Sequence, residues 1–449
     1  MKAVLVADRP EDDPLLHGWD VPLLSDGGHD GGGAPSGGLG DGRPLDSVLG
    51  DAAVIVDGIL GTGIKGAPRA RQARAIQAIN RSRRPVFALD APSGIDVDTG
   101  RIDGEAVAAQ VTVALGWPKL GTFLQPARIN VGRLIAVEIG FPPAGESTFG
   151  AVAVTPAWAS ERRPRREPDT HKNRVGVLLL VAGRSGMAGA AVMAARAALR
   201  AGVGLLRVAS AAENREIIQG SVPEAVFVPG DDPETVRKAA AASHAVAAGP
   251  GLGDGAEGAV LLEVVLEATD RRPTVLDADA LNLAVSGEGP GVGSWAQGRD
   301  VLVTPHLGEM KGLSGLSGET IVEDRMSAAR TFASQSGATV LLKGLPSIVV
   351  PPHGTCWVDT VGTSDLATGG MGDVLTGVAG ALLAQGSAPD VAGALALYMT
   401  GRAAIRADKG PGLTPSDVIE ELPAVWEEDG PGETDLGLPF VIFDQDAAR

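Results

Sequence analysis

The sequence is poor in cysteine. Its 449 residues include one, Cys356, which excludes an intrachain disulfide and a cysteine-cluster metal site. Aromatic residues make up 3%, so the core must be built from Ala, Val, Leu and Ile. No apolar run reaches membrane-spanning length. The N-terminal stretch MKAVLVADRPEDD lacks the long apolar run of a signal peptide, so a cytoplasmic protein with no membrane partner is expected. Positive charge is also scarce. With 38 Lys and Arg against 55 Asp and Glu the formal charge is −17, which argues against a nucleic-acid partner. An anionic ligand would need a local basic pocket against this background.

What is present is glycine, 63 residues, and a 44% share of hydrophobic residues. Short apolar runs recur, each followed by a turn or an Ala/Leu-rich helical stretch. They are AAVIVDGILGTG, PVFALDAPSG, VGVLLLVAGRSG, HAVAAGPGLG, PTVLDADALN, DVLVTPHLGEM and ATVLLKG. Continuous apolar runs are the pattern of buried parallel strands. Their alternation with helices predicts an α/β layered fold with right-handed crossovers. In such open sheets ligands bind beyond the carboxyl ends of the strands, and each of these turns is such an end.

Two stretches interrupt the pattern. Residues 25–44 are Gly-rich without a core pattern and read as a flexible loop. SERRPRREPDTHKNR, residues 160–174, carries five arginines and a lysine and reads as a linker, or as a basic lip over a ligand. The domain boundary is placed near residue 150, giving domains 1–150 and 151–449. The tail after Pro431 is weakly patterned and carries no functional reading.

Chemistry concentrates in the turns of the second domain. In ATGGMGDVLTG, residues 367–377, three glycines precede an apolar helix that opens on Asp373. Gly369, Gly370 and Gly372 let the backbone approach a ligand closely. A helix start attracts anions through its N–H groups and dipole. Asp373 there either favours the dipole or takes a proton from a hydroxyl, and the stretch alone leaves both open. VAGRSGMAGAA supplies Gly183, Gly186 and Gly189, whose spacing is not a dinucleotide fingerprint. AAGPGLGDG is a second Gly-rich strand end. TPHLGEM offers His306 and Glu309. A lone histidine is more often structural, but this one directly follows a strand. Lys343 in LLKGLPS stands at a strand end, where it suits a phosphate.

VLDADALNLA, TPHLGEM and ATGGMGDVLTG, in that order, resemble the ADP-dependent NAD(P)H-hydrate dehydratases of the ribokinase-like superfamily. HKNRVGVLLLVAGRSGMAGAA resembles the start of the same domain, so the likeness covers about residues 170–428. It implies removal of water from (6S)-NADH or NADPH hydrate, with ADP (or ATP) as phosphoryl donor and Mg2+. Phosphorylation turns the hydroxyl into a good leaving group, and the ring nitrogen's lone pair helps expel it. Asp373 would be the general base, with the amides of Gly369 to Gly372 stabilising the phosphoryl group in transfer. Carried over, Ala190, Gly251, His306 and Asp373 contact the hydrate. Lys343, Gly344, Leu345, Pro346, Ser347 and Gly372 contact the adenine nucleotide, and Asp279 and Asn282 lie close by position. This chain departs from the family at Pro346, commonly glycine, and at Thr363, Ser364 and Asp365, often Asn-Pro-Gly.

In the first domain VDGILGTGIKGAPR and LDAPSGIDVDTGRIDGEAV resemble the NAD(P)H-hydrate epimerases, over about residues 50–142. The resemblance implies that Asp57 and Thr99 help bind a potassium ion, oxygen ligands suiting a hard cation. Gly61, Thr62, Gly63, Ile64, Lys65, Gly66 and Ala67 would line the substrate, and Asp96 would hold it and serve in proton transfer. The epimerases' Asn-Asn-Gly-Gly-Asp turn is absent, so an incomplete, impaired Rossmann-like domain is expected, or a gene model that starts late. The whole is read as two layered α/β domains, the second ribokinase-like, and as a homo-oligomer acting on a small molecule. A ribokinase-like kinase for a vitamin-precursor hydroxyl and a non-catalytic nucleotide sensor are the alternatives.

Overall fold

The structure, a computed structural model, describes residues 3–6, 23–25, 45–142, 145, 149–269, 272–296, 298–427 and 440–442. The Gly-rich stretch 25–44 lies outside them apart from Ser25, and the tail after Pro431 apart from 440–442. The chain forms two compact units, Met1–Pro143 with Leu436–Arg449, and Ala144–Asp435.

The first unit is built on a five-stranded sheet. Strands β1 (Ile55–Asp57), β2 (Val86–Leu89), β3 (Val111–Leu115) and β4 (Arg133–Val137) lie side by side and parallel. Phe440–Ile442 pairs antiparallel with β4, so the weakly patterned tail supplies a strand to this sheet. Helix α1 (Ala70–Ser82) turns Ile76 and Ile79 onto Ile55, Val86 and Ala88. The alternate residues Val56, Phe87 and Leu89 are exposed. Burial on both faces, expected from the continuous apolar runs, is therefore not found here.

The second unit carries a ten-stranded sheet. Its strands are β5 (Ala151–Ala153), β6 (Val177–Val181), β7 (Leu205–Ser210), β8 (Val226–Pro229), β9 (Ala245–Ala248), β10 (Thr274–Leu276), β11 (Val301–Val303), β12 (Thr339–Leu342), β13 (Ile348–Val350) and β14 (Cys356–Val358). Their order is β8-β7-β6-β9-β10-β11-β12-β13-β14-β5. Pairings from β8 to β12 are parallel, and β13 is antiparallel to both neighbours. Here the central strands are buried on both faces, with Val177 to Val181 at 3% exposure or less, whereas the edge strands β5 and β8 are partly exposed. The chain goes from β6 outward to β8, then returns to β9 on the other side of β6. That reversal is the topological switch point at which open α/β sheets place ligands.

Helix α3 (Ala188–Arg200) is rich in alanine, which favours helix and leaves little bulk between neighbours. Helix α6 (Met371–Ala384) exploits this. A Cβ at Gly377 would lie 2.1 Å from the Ala194 carbonyl oxygen, so only glycine permits the approach. Burial of α6 from Val374 to Ala384 fixes its first turn, and Asp373 with it, over the sheet.

The charged run 160–174 is not a linker. Helix α2 (Pro156–Arg162) starts with Thr155 accepting from Trp158 N at 3.2 Å and with Pro156 in the first turn. The Arg162 guanidinium stacks on Trp158 and Trp357. Arg163 donates to the Val425 and Trp426 carbonyls at 2.7 and 2.9 Å, near the end of helix α7 (Pro415–Glu427). Cations belong at helix C-termini, where carbonyls and dipole are both uncompensated.

Candidate active site

In the second unit the site forms where strands end and glycine turns begin. Gly370, φ +92°, caps α6 in a left-handed conformation. Gly372 and Asp373 follow in the first turn, where Met371 N already donates to Thr368 O at 3.2 Å and the next two amides precede the intrahelical ladder. A Cβ at Gly372 would sit 3.4 Å from Lys343 Nζ and 3.6 Å from Asp277 Oδ2, so this turn rests on an ion pair.

That pair is Lys343 Nζ donating to Asp277 Oδ1 at 2.7 Å. Asp277 follows β10 directly and is 1% exposed. Its second oxygen accepts from Thr376 Oγ1 at 2.6 Å. Burial alone would raise the Asp277 carboxyl, but the Lys343 charge and these hydrogen bonds hold it below its ordinary value. Asp373 shows the opposite balance. Burial first, then the Asp277 and Asp279 charges, push it up to about 7, with Lys343 opposing. A carboxyl poised near neutrality is suited to accept a proton at physiological pH.

Neighbouring turns extend the site. His306 caps helix α5 (Leu307–Ser314): its Nδ1 accepts from Glu309 N at 3.1 Å while Glu309 Oε2 accepts from His306 N at 2.8 Å. Nδ1 is thus the acceptor nitrogen, and the ring, which remains exposed, has its Nε2 left to donate. Glu309 is buried and its carboxyl raised by burial, with Lys343 opposing. Gly251, φ +56°, would place a Cβ 3.1 Å from that of Ala190. Gly183 N and Arg184 N donate to Pro250 O and Gly251 O at 2.9 and 2.6 Å, fastening the turn after β6 to that after β9. Asp279 opens helix α4 (Asp279–Ser286) and accepts from Gly253 N at 2.8 Å and from Asn282 Nδ2 at 3.4 Å. Lys343, Gly372, Asp373, Asp279 and Glu309 are thereby brought together, with Ala190 and Gly251 joined through the same turns.

The loop Lys343–Ser347 contains a cis Leu345–Pro346 peptide. Ser347 Oγ donates to Gly344 O at 2.9 Å and accepts from Gly344 N at 3.2 Å. Arg325 Nη2 donates to Lys343 O at 3.0 Å and would meet a Cβ at Gly344 at 2.2 Å. Asp277, Thr376 and Arg325 were missed by sequence reasoning. Asp277 and Thr376 were detectable, one by its strand-end position and the other by its spacing of three from Asp373. Arg325 lies at a helix start with no local signal.

In the first unit Asp57 ends β1 and is buried. It accepts from Ser93 Oγ at 2.6 Å, Ser93 N at 2.8 Å and Ile59 N at 3.2 Å, and burial raises its carboxyl. Ser93 was not singled out from the sequence. Lys65 Nζ reaches Asp96 at 3.4 Å and Asp98 at 2.8 Å, joining the loop 61–67 to the loop after β2. Burial opposes ionisation of Asp96, but the Asp98 and Thr99 amides and Lys65 hold its carboxyl low. A carboxylate held low is a weak base. Thr99 Oγ1 accepts from Arg101 N at 3.3 Å. Among the described residues no group of three His, Cys, Asp or Glu is arranged to hold a metal ion.

Known proteins resemble this chain in sequence and fold. The profile of the NAD(P)H-hydrate dehydratases matches residues 178–424, and that described as YjeF-related protein N-terminus matches residues 38–121. The bifunctional NAD(P)H-hydrate repair enzyme of Moorella thermoacetica is 36% identical over 391 residues, 83% of this chain and 73% of the relative. The chain belongs to this repair-enzyme family. A crystal structure of the ADP/ATP-dependent NAD(P)H-hydrate dehydratase from Bacillus subtilis, co-crystallised with ATP and Mg2+, is 30% identical with a TM-score of 0.53. It covers 61% of this chain and is itself covered to 96%. A ribokinase-like superfamily protein from Enterococcus faecalis V583, 24% identical with a TM-score of 0.57, shares the fold over 62% of this chain and 96% of its own. The second unit therefore has the ribokinase-like fold, as the sequence motifs implied.

Proposed function

We propose that the second unit dehydrates (6S)-NAD(P)H hydrate by phosphorylating its hydroxyl and eliminating phosphate. The observation that carries this reading is Asp373, a carboxyl pushed up to about 7 at a glycine-built helix start beside Lys343. Asp373 takes the hydroxyl proton as the terminal phosphoryl group of ADP or ATP is transferred. Lys343 and the first-turn amides of α6 hold that group and offset its charge. Ala190, Gly251 and His306 line the hydrate, and Gly344 to Ser347 the nucleotide. Mg2+ would travel on the nucleotide phosphates, a mode this ion favours. Family membership supports this reading over a vitamin-precursor kinase.

The first unit is read as the epimerase-like partner, covering about residues 1–150, with Asp96 and the loop Gly61–Ala67 at the substrate. Asp57 is a buried carboxylate whose hydrogen-bond donors are neutral, and with the Thr99 hydroxyl it offers the hard oxygens that potassium prefers. Exchange between resolved R and S hydrates without nucleotide tests this unit. A cytoplasmic homo-oligomer completes the reading. Among the described residues no helix is long and apolar enough to cross a membrane; light scattering reads the assembly. The dehydratase is tested by incubating S hydrate with ADP and, separately, ATP. Return of NADH absorbance is expected, and its absence with both nucleotides would overturn the assignment.

A further inference from the structure

Asp277 belongs to neither the hydrate contacts nor the nucleotide loop, yet it joins the elements that carry the chemistry. It follows β10, Lys343 follows β12, and Thr376 lies on α6. One fully buried carboxylate binds both partners, Lys343 Nζ at 2.7 Å and Thr376 Oγ1 at 2.6 Å. Thr376 is three residues beyond Asp373, so both face the same side of α6. The ammonium of Lys343 can swing freely on its four-carbon stem unless something fixes it. Asp277 fixes it beneath Gly372, whose Cβ position lies within 3.6 Å of both charged groups.

We propose that Asp277 is a positioning residue that sets Lys343 and, through Thr376, the first turn of α6 in one register, so that phosphate and base are presented together. This rests on the dehydratase reading of the site. It carries a second consequence. The charges facing Asp373 are Asp277 and Lys343 from the ends of β10 and β12 and Asp279 from α4, while Glu309 of α5 faces Lys343 and Asp277. After burial, the Asp277 charge is the largest influence raising the Asp373 carboxyl, so it also sets the pH at which the base is available.

The test uses Asp277→Asn and Thr376→Val in the full chain. In Asp277→Asn the nucleotide Kd, read by calorimetry without turnover, should rise about tenfold, because an unanchored charge-assisted contact is lost. The acid limb of kcat against pH should move down by about one unit, since a like charge next to Asp373 is gone. Thr376→Val keeps the shape of the helix face and serves if Asp277→Asn does not fold. It should raise the nucleotide Kd severalfold and, because it takes a donor from a buried carboxylate, lower Tm moderately while the chain still folds. Variants that lose only thermal stability, with Kd and acid limb unmoved, would overturn the proposal. A parent that binds nucleotide but returns no NADH would overturn the dehydratase reading instead, while the Kd comparison still decides the role of Asp277.

Discussion

At the scale of single residues the site trades stability for chemistry. Asp373 has a folded-state carboxyl near 7 against an ordinary 3.8. The native state therefore holds a proton that the unfolded chain releases at lower pH. The associated stability is full below about pH 4 and is lost as pH rises through about 7. Asp373→Asn should consequently be more stable than the parent at pH 8, by on the order of 1–3 kcal/mol in denaturant titration. The same change should cut kcat by about a hundredfold or more while leaving nucleotide binding largely intact. Turnover close to the parent's would remove Asp373 as the base. In the parent, kcat should fall as pH drops below about 7, where Asp373 becomes protonated. Asp373 was legible in the sequence because glycines and a helix start surround it. The depth of its environment was not, since Asp277 and Asp279 reach it only through the fold.

At the scale of elements, the parallel strands were legible because Val, Leu and Ala runs buried on both faces leave a continuous signature. The runs VLLLV and AVAA became β6 and β9. What escaped were short strands whose pairing is set by tertiary context, such as β5, which pairs Ala151 with Cys356 of β14, 205 positions along the chain. The arginine run escaped for a related reason. Its charge suggested solvent or ligand, whereas the Arg163 guanidinium donates to the carbonyls of α7, 262 residues away. Arg163→Ala should then lower the stability of the second unit by about 1–2 kcal/mol in thermal unfolding, with KM for nucleotide unchanged. A raised KM with unchanged Tm would restore the ligand-lip reading. Gly377→Ala is a sharper probe of element packing. Its Cβ would meet the Ala194 carbonyl at 2.1 Å and force α3 and α6 apart. A loss of at least about 2 kcal/mol is expected by denaturant titration, with reduced kcat because Asp373 moves with α6.

At the scale of the whole molecule, two units that match different family models stand on one chain, each with its candidate site at strand ends. Asp277 and Asp57 differ in what balances a buried carboxylate. In the second unit Lys343 compensates Asp277. In the first, Asp57 relies on hydroxyl and amide donors, and burial raises its carboxyl. Without a cation, the stability tied to Asp57 should fall as pH rises through its carboxyl titration, and potassium should remove that fall. At pH 8 the thermal transition of the parent should rise in KCl relative to choline chloride at equal ionic strength, whereas Asp57→Asn should show no such difference. Equal transitions for the parent in both salts would remove potassium from the account. The central claim, phosphorylation followed by elimination on the second unit, is tested most directly by product stoichiometry. S hydrate, ADP and Mg2+ are incubated with the chain, and all products are resolved by chromatography. The account predicts NADH, AMP and inorganic phosphate in equal amounts. A stable phosphorylated product, or AMP formed without NADH, would contradict it.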